Sequence, residues 1–409
     1  MRADWQMGSR FTNVPRLTAN QDGTVDVVLS AESALDPESP DNPGIVATRR
    51  WSEAAGWGPA FELASGPGVT RASATEIMTT AGDRVVAWIE EPAGGLARIE
   101  VRRQPRGGGA ASRAKIEDGP MSKHGTLREN RPLVLFDGPP EGAAVIWADD
   151  REHHGFFRQH ANVKLFTAST PFEGDPRVDK VTPPRRTNIA HYALVRGPRA
   201  KQPELVFSED DGALMFPLLP DHGRLYVVTR REGTWGDPFE MTPHLGVSSD
   251  RHVLGSIAAF RDPAGRLIVI CAAKRISGPG PAVRLWELLA LTQSASGVFE
   301  MAPLEAAVDT GFMGESFRAA MGPDGTVSVV YPPADSPIEP ATRNHSLALI
   351  RFSTPTHLSS VRVSARSVED QFDVAVDSSG RTHVVWLELD GADGVVRHRV
   401  ISPIAADAP

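Results

Sequence analysis

One short pattern returns along the whole chain: a strand, a tight turn carrying glycine, and a second strand of β-branched residues ending in an aromatic or apolar residue. It reads PRLTANQDGTVDVVLS, SATEIMTTAGDRVVAWIE, RPLVLFDGPPEGAAVIWAD, SIAAFRDPAGRLIVICAA, FRAAMGPDGTVSVVYPP and FDVAVDSSGRTHVVWLE, with a further copy, AHYALVRGPRAKQPELVFSED, whose turn is longer. The copies begin near residues 14, 71, 131, 190, 254, 317 and 372. That period of roughly 60 leaves room for four strands in each repeat. Asp-Gly and Ser-Gly pairs supply the positive φ that two-residue hairpins need, so each copy predicts the inner two strands of a four-stranded unit.

A second hairpin follows several copies. IVATRRWSEAAGWGPAFELA (45–64) aligns with LYVVTRREGTWGDPFEMT (225–242) and more loosely with LWELLALTQSASGVFEMA (285–302), with Gly56, Gly233 and Gly297 at the corner and Trp57, Trp235 and Phe299 plugging the edge. The expected fold is all-β: one domain over residues 1–409, a seven-bladed β-propeller of four-stranded antiparallel blades. After the last copy only one strand, VVRHRVI (395–401), precedes a short tail. Residues 1–10, with a short Trp-containing segment at 4–9, are therefore expected to supply the closing outer strand, which removes an open edge. A two-domain β-sandwich chain is the competing architecture.

Composition narrows the function. Hydrophobic residues at 41% and charged residues at 23% describe an ordinary globular chain of 409 residues, and 37 glycines and 34 prolines scattered between apolar runs mark many tight turns. A formal net charge of -8 excludes a general binder of phosphate backbones. The single cysteine, Cys271, lies in an apolar run and reads as a buried, inert thiol. No apolar leader follows the first basic residue and no stretch reaches membrane-spanning length. We expect a soluble, monomeric protein without nucleic-acid or membrane partners, cytoplasmic unless a leader has been removed.

The G-x-W/F hairpins and the DG-x-V-x-V-V turns resemble those of the sialidase-like superfamily, built from bacterial neuraminidase repeats. A full Asp box of that family reads Ser-x-Asp-x-Gly-x-Thr-Trp. Here Gly233-Thr234-Trp235 keeps the second half and Arg231 stands where the family has Asp. The resemblance implies a carbohydrate-active propeller. Its sialidases use an arginine triad, a tyrosine nucleophile paired with a glutamate, and an aspartate acid. Its lyases and rhamnosidases rely on histidine with arginine or tyrosine. The three arginines and His191 named below suit the lyase style, since Tyr331 is the one tyrosine late in the ring.

In a propeller the inner strands converge on one channel, and their starts are polar in this chain. Arg16, Arg131 and Arg318 hold the same place in three copies. With Arg71, His252 and Asp373 they are the candidate ligand-binding residues, because guanidinium forks match carboxylates and phosphates in two-point contact. His191, with its unperturbed pKa near 6.5, is the candidate proton-transfer group, and Glu129 and Glu315 are its candidate carboxylate partners. Neighbouring strand residues point to opposite faces, which gives the channel to His191 and not to Tyr192. The loop ADDREHHGFFRQHAN (148–162) is a candidate site for a divalent cation, calcium or zinc, through Asp150, His153 and His160.

No nucleophile elbow, phosphate-cradling loop or dinucleotide fingerprint occurs. Three readings stay open: a lyase or glycosidase acting on an anionic sugar or similar acidic ligand, a non-catalytic propeller that binds a peptide, glycan or pathway intermediate, and a tailoring enzyme of secondary metabolism.

Overall fold

The structure is a computed structural model. It describes residues 3–6, 10–12, 15–33, 44–92, 97–106, 110–116, 133–137, 143–149, 164–169, 178–182, 188–197, 202–210, 224–241, 252–275, 285–309, 317–333, 346–353, 358–364, 371–390 and 393–403. Among them regular structure is strand throughout. No helix of these residues is long and apolar enough to cross a membrane.

The chain opens with β1 (Ala3–Gln6) and β2 (Arg10–Thr12), and then runs in antiparallel meanders. The first is β3 (Arg16–Ala19), β4 (Val25–Ser33), β5 (Ile45–Ser52) and β6 (Gly56–Ala64). The next is β7 (Val69–Met78), β8 (Arg84–Pro92), β9 (Arg98–Gln104) and β10 (Ser112–Ile116). Then come β11 (Val134–Asp137), β12 (Ala143–Asp149), β13 (Lys164–Ser169) and β14 (Val178–Lys180). They are followed by β15 (Asn188–Arg196), β16 (Glu204–Asp210) and β17 (Arg224–Arg231), whose outer edge is covered by β18 (Thr234–Trp235) and β19 (Phe239–Glu240). β20 (His252–Arg261), β21 (Leu267–Arg275), β22 (Leu285–Gln293) and β23 (Phe299–Asp309) follow. After them come β24 (Arg318–Met321), β25 (Val327–Tyr331), β26 (Leu347–Phe352) and β27 (Leu358–Ser364). The last meander is β28 (Phe372–Val376), β29 (Thr382–Asp390) and β30 (Asp393–Ile401).

Tight turns form where the sequence puts Asp ahead of Gly-Arg. In Asp377-Ser-Ser-Gly380-Arg381 the Asp377 carboxylate accepts the backbone N–H groups of Ser379 and Arg381 at 2.9 and 3.0 Å, and Gly380 takes a φ of 80°. Asp262 receives the N–H of Arg266 at 2.8 Å in the same way. The carboxylate therefore replaces the partners that the reversing backbone loses.

The strands after these turns are apolar on both faces, which is why they read as Val-Val runs rather than alternating ones. In β29, Val384 and Trp386 pack with β24–β27 residues such as Val330 and Leu349, while Val385 and Leu387 pack with Val27 and Leu29 of β4. Each such buried aliphatic side chain contributes roughly 1.5–3 kcal/mol. Hydrophobic clusters of this kind join every meander to its successor, and one joins the last meander back to the first. The first strands β3, β7, β11, β15, β20, β24 and β28 lie against one another in the same cyclic order. This is the arrangement of a β-propeller, with inner strands around an axis and sheets radiating from it.

Two joints are special. β15 and β20 pair in parallel through Val195 with Ala259 and Arg196 with Phe260, fusing two meanders into one nine-stranded sheet. Gly197, at φ 122°, makes that approach feasible: a Cβ there would stand 2.2 Å from the Arg261 carbonyl oxygen. Elsewhere, β1 pairs antiparallel with β30, Trp5 opposite Val396.

Cys271 is buried within the cluster that joins β15–β17 to β20–β23, and desolvation pushes its thiol up to about 12, as expected of an inert core cysteine.

Candidate functional site

The register of the inner strands brings charge into one row. Arg16 on β3 stands opposite Val28, Arg318 on β24 opposite Val330, and Asp373 on β28 opposite Val385. Each of these valines holds the corresponding position in its own meander, and β24, β28 and β3 are neighbours. Arg318, Asp373 and Arg16 thus succeed one another around the axis at one height. Asp373 is fixed by the Leu17 N–H, which donates to its Oδ2 at 2.8 Å across the gap between sheets. Arg318 lies over the Phe372 ring at 5.8 Å and donates through Nη1 to the Phe317 carbonyl at 2.9 Å.

A fourth charge enters from β15. Arg196 and Tyr192 both act on Arg16, whose guanidinium is held down at about 10 by burial first and then by the Arg318 charge. Asp373 opposes that shift, Arg196 adds to it, and Tyr192 opposes it. Desolvation by the surrounding protein also lowers Arg196, whose side chain is nonetheless exposed, against the pull of Asp373. Neither Arg16 nor Arg196 makes a hydrogen bond or ion pair to a described residue. Arg16 and Arg196, from two strands, are therefore both acted on by the Asp373 carboxylate, and Arg16 also feels the Arg318 charge. A desolvated cation whose charge is disfavoured by its neighbours is the electrostatic condition for taking up an anion.

Arg16, Arg318 and Asp373 are brought together, although the third residue sharing the arginine register is Asp373. Arg131 lies outside the described residues, and the strand position opposite Ile146 in its repeat is Val134. Arg71 is spoken for elsewhere: its Nε donates to Glu90 at 2.9 Å and its Nη1 to the Gly66 carbonyl at 3.3 Å, inside a sheet seam. His252 is the first residue of β20, opposite Arg275. His191 is half-buried on β15, next to a bulge between Ile189 and His191, and its backbone N–H donates to Ser208 Oγ at 3.1 Å. Glu129, Glu315, Asp150, His153 and His160 lie outside the described residues. Among the described residues no group of three or more His, Cys, Asp or Glu is placed to hold a metal ion.

Sequence reasoning missed Arg196 because it looked only at strand starts, and Arg196 ends its strand. A signal was present: Arg196 precedes a glycine that the parallel joint requires, so its backbone position is fixed. Tyr192, set aside by the alternation argument, is the β15 aromatic that acts on Arg16. It is also buried against Phe136, Ile146 and Leu205.

No protein-family model and no curated protein sequence matches this chain. Solved structures do. The chain is similar to a Penicillium chrysogenum α-L-arabinanase complexed with arabinobiose, at 13% identity over 81% of this chain and 93% of that one, TM-score 0.48. It is similar to a sialidase from Streptococcus pneumoniae at 9% identity over 96% of this chain and 68% of that one, TM-score 0.43. A protein of unknown function from Dyadobacter fermentans matches at 10% identity over 97% and 98% of the two chains, TM-score 0.47.

Proposed function

We propose that the whole chain forms a closed ring of seven blades, with β1 completing the last sheet, and that its channel takes up a small anionic ligand. The observation that carries this is the row Arg318, Asp373 and Arg16 with Arg196 facing it, since the Arg318 and Arg196 charges crowd Arg16, and neither Arg16 nor Arg196 makes an ion pair to a described residue. The best-fitting ligand class is an acidic sugar. Its carboxylate would lie between the guanidinium forks, and its hydroxyls would meet the polar rim. On this reading the protein is a carbohydrate-active enzyme of lyase or glycosidase type, in which His191 transfers a proton at the ligand.

A non-catalytic binding propeller is the second reading. It is favoured by the same row, which has the features of a binding site. Thermal-shift measurements with N-acetylneuraminate, glucuronate, galacturonate and neutral arabinose test the proposal, because a ligand of the folded state raises the midpoint. The acidic sugars should stabilise the protein and arabinose should not, and Arg16→Ala should abolish the response. Equal shifts with acidic and neutral sugars would sink it. Turnover lost in His191→Ala with ligand binding retained separates the enzyme from the binding module.

A further inference from the structure

The sheets that carry Arg16 and Asp373 meet over a buried histidine pair. His383 on β29 and His398 on β30 are stacked with ring centres 5.3 Å apart and planes 12° apart, and both are almost wholly excluded from solvent. His383 Nε2 lies 3.0 Å from Asp377 Oδ2, and His383 Nδ1 lies 3.2 Å from His398 Nε2. Burial pushes the Asp377 carboxyl up, but hydrogen bonds from His383, Ser379 and Arg381 outweigh it and hold it at about 2. An ionised Asp377 accepts, so the network assigns the His383 proton to Nε2. His383 Nδ1 is then an acceptor for the Nε2–H of His398. The chain ends at His398 Nδ1, which is buried and has no hydrogen-bond partner among the described residues.

The first meander closes over this pair. Trp51 of β5 sets its ring 4.8 Å from His383 and 5.7 Å from His398, and Trp57 of β6 lies 5.0 Å from His398. Arg381 spans the seam, over the Trp51 ring at 5.6 Å and with Nη1 2.6 Å from Glu53. The charged groups facing the pair among the described residues are Asp377 and Arg381 on its own sheet, and Glu53 and Arg49 on the other. Glu53 is exposed and engaged by Arg381, and Arg49 lies over Trp57. A second proton on the pair therefore finds no fresh anion, and tryptophan rings block its way to water.

We propose that this histidine pair is an acid-released latch: protonation of the pair parts β28–β30 from β4–β6 and breaks the row in which Arg16 and Asp373 stand. The loss of ligand binding rests on the anion-site reading above, whereas the parting of the seam does not. The Leu17 N–H to Asp373 bond crosses this seam, so the two sheets cannot separate without disturbing the site.

Desolvation first, and then the neighbouring His383, hold His398 down at about 3, and desolvation lowers His383 as well. Depressed folded-state values give stability that is complete above about 6.5 and lost as the pH falls toward the folded-state values. Below about 6.5 each histidine raises the unfolding constant by up to about tenfold per pH unit.

Hydrogen exchange on the full chain at pH 7.5 and 5.0, corrected for intrinsic rates, tests the latch. Amides of β5, β6, β29 and β30 should lose protection at pH 5.0 while those of β20–β22 keep theirs, and His398→Phe should blunt the loss. Where that variant folds poorly, His398→Gln and the pH dependence of the wild-type denaturation midpoint supply the same reading. Uniform loss of protection in all sheets, or an unchanged acid response in both variants, overturns the proposal. Binding of N-acetylneuraminate at pH 7.5 is scored separately: its failure sinks the anion site and leaves the latch standing.

Discussion

Arginines between the sheets and arginines at the channel carry the same charge in opposite circumstances. Between the sheets several guanidinium groups are matched to carboxylates. Arg71 meets Glu90 at 2.9 Å, Arg84 meets Glu76 at 2.7 Å, Arg50 meets Asp26 at 2.7 Å and Arg261 meets Glu204 at 2.8 Å. At the channel Arg16 is desolvated beside the Arg318 and Arg196 charges, Arg196 is exposed, and among the described residues Asp373 is the carboxylate acting on both Arg16 and Arg196. Matched pairs leave nothing for a ligand to do. Crowded cations make the folded protein less stable than it would be without them, and such a cost persists where function needs it.

If that contrast holds, breaking a matched pair should cost more than removing a channel cation. Glu90→Ala strands the buried Arg71 and should destabilise the protein by roughly 3–5 kcal/mol in chemical denaturation. Gly197→Ala forces a Cβ against the Arg261 carbonyl. It should cost roughly 1–3 kcal/mol and weaken anion binding together, since Arg196 loses its anchor. Glu76, pushed up to about 7 chiefly by desolvation, gives the seam between β3–β6 and β7–β10 a pH dependence of its own. A raised folded-state value means stability that is full below about 4.5 and lost as the pH rises to about 7. Relative to wild type, Glu76→Gln should therefore be more favourable at pH 8 than at pH 4.5, by roughly 1–3 kcal/mol.

The channel side of the comparison moves binding and not folding. Arg16→Ala should leave the denaturation midpoint unchanged or raised while weakening acidic-sugar binding by about tenfold or more, or about 1.4 kcal/mol. A drop in stability like that of Glu90→Ala would place Arg16 with the structural arginines. Arg318→Lys should have the smallest effect, a loss of a few-fold in affinity, because an ammonium keeps the charge but lacks the flat fork over Phe372.

The fold was legible because its signals are local. Positive-φ glycines, carboxylates ahead of them and doubly apolar strands announce each hairpin within a dozen or so residues, and Cys271 sits where its apolar run put it. The parallel joint of β15 and β20 was not legible, since it depends on two strands far apart in sequence and on Gly197, which looked like an ordinary turn residue. The site was half legible. Arg16, Arg318 and Asp373 share a register that the repeat spacing exposes, but what a guanidinium does is decided by its partner. Nothing in the sequence separates Arg71, held by Glu90, from Arg16. The bulges in β7, β15 and β20 also shift the face that each residue presents.

The parallel joint also bears on how the ring yields under load. Backbone hydrogen bonds tie β15 to β20, so the two sheets on that side move as one stiff plate carrying Arg196. Among the described residues, the sheets of Arg16 and Asp373 are held to each other by side chains and by the bond from the Leu17 N–H to Asp373. Strain on the ring should therefore collect on the Arg16 and Asp373 side, with Arg196 as the fixed reference. On the anion-site reading, a tightening channel would draw that compliant wall toward the stiff one, and its width would follow the size of the proposed ligand.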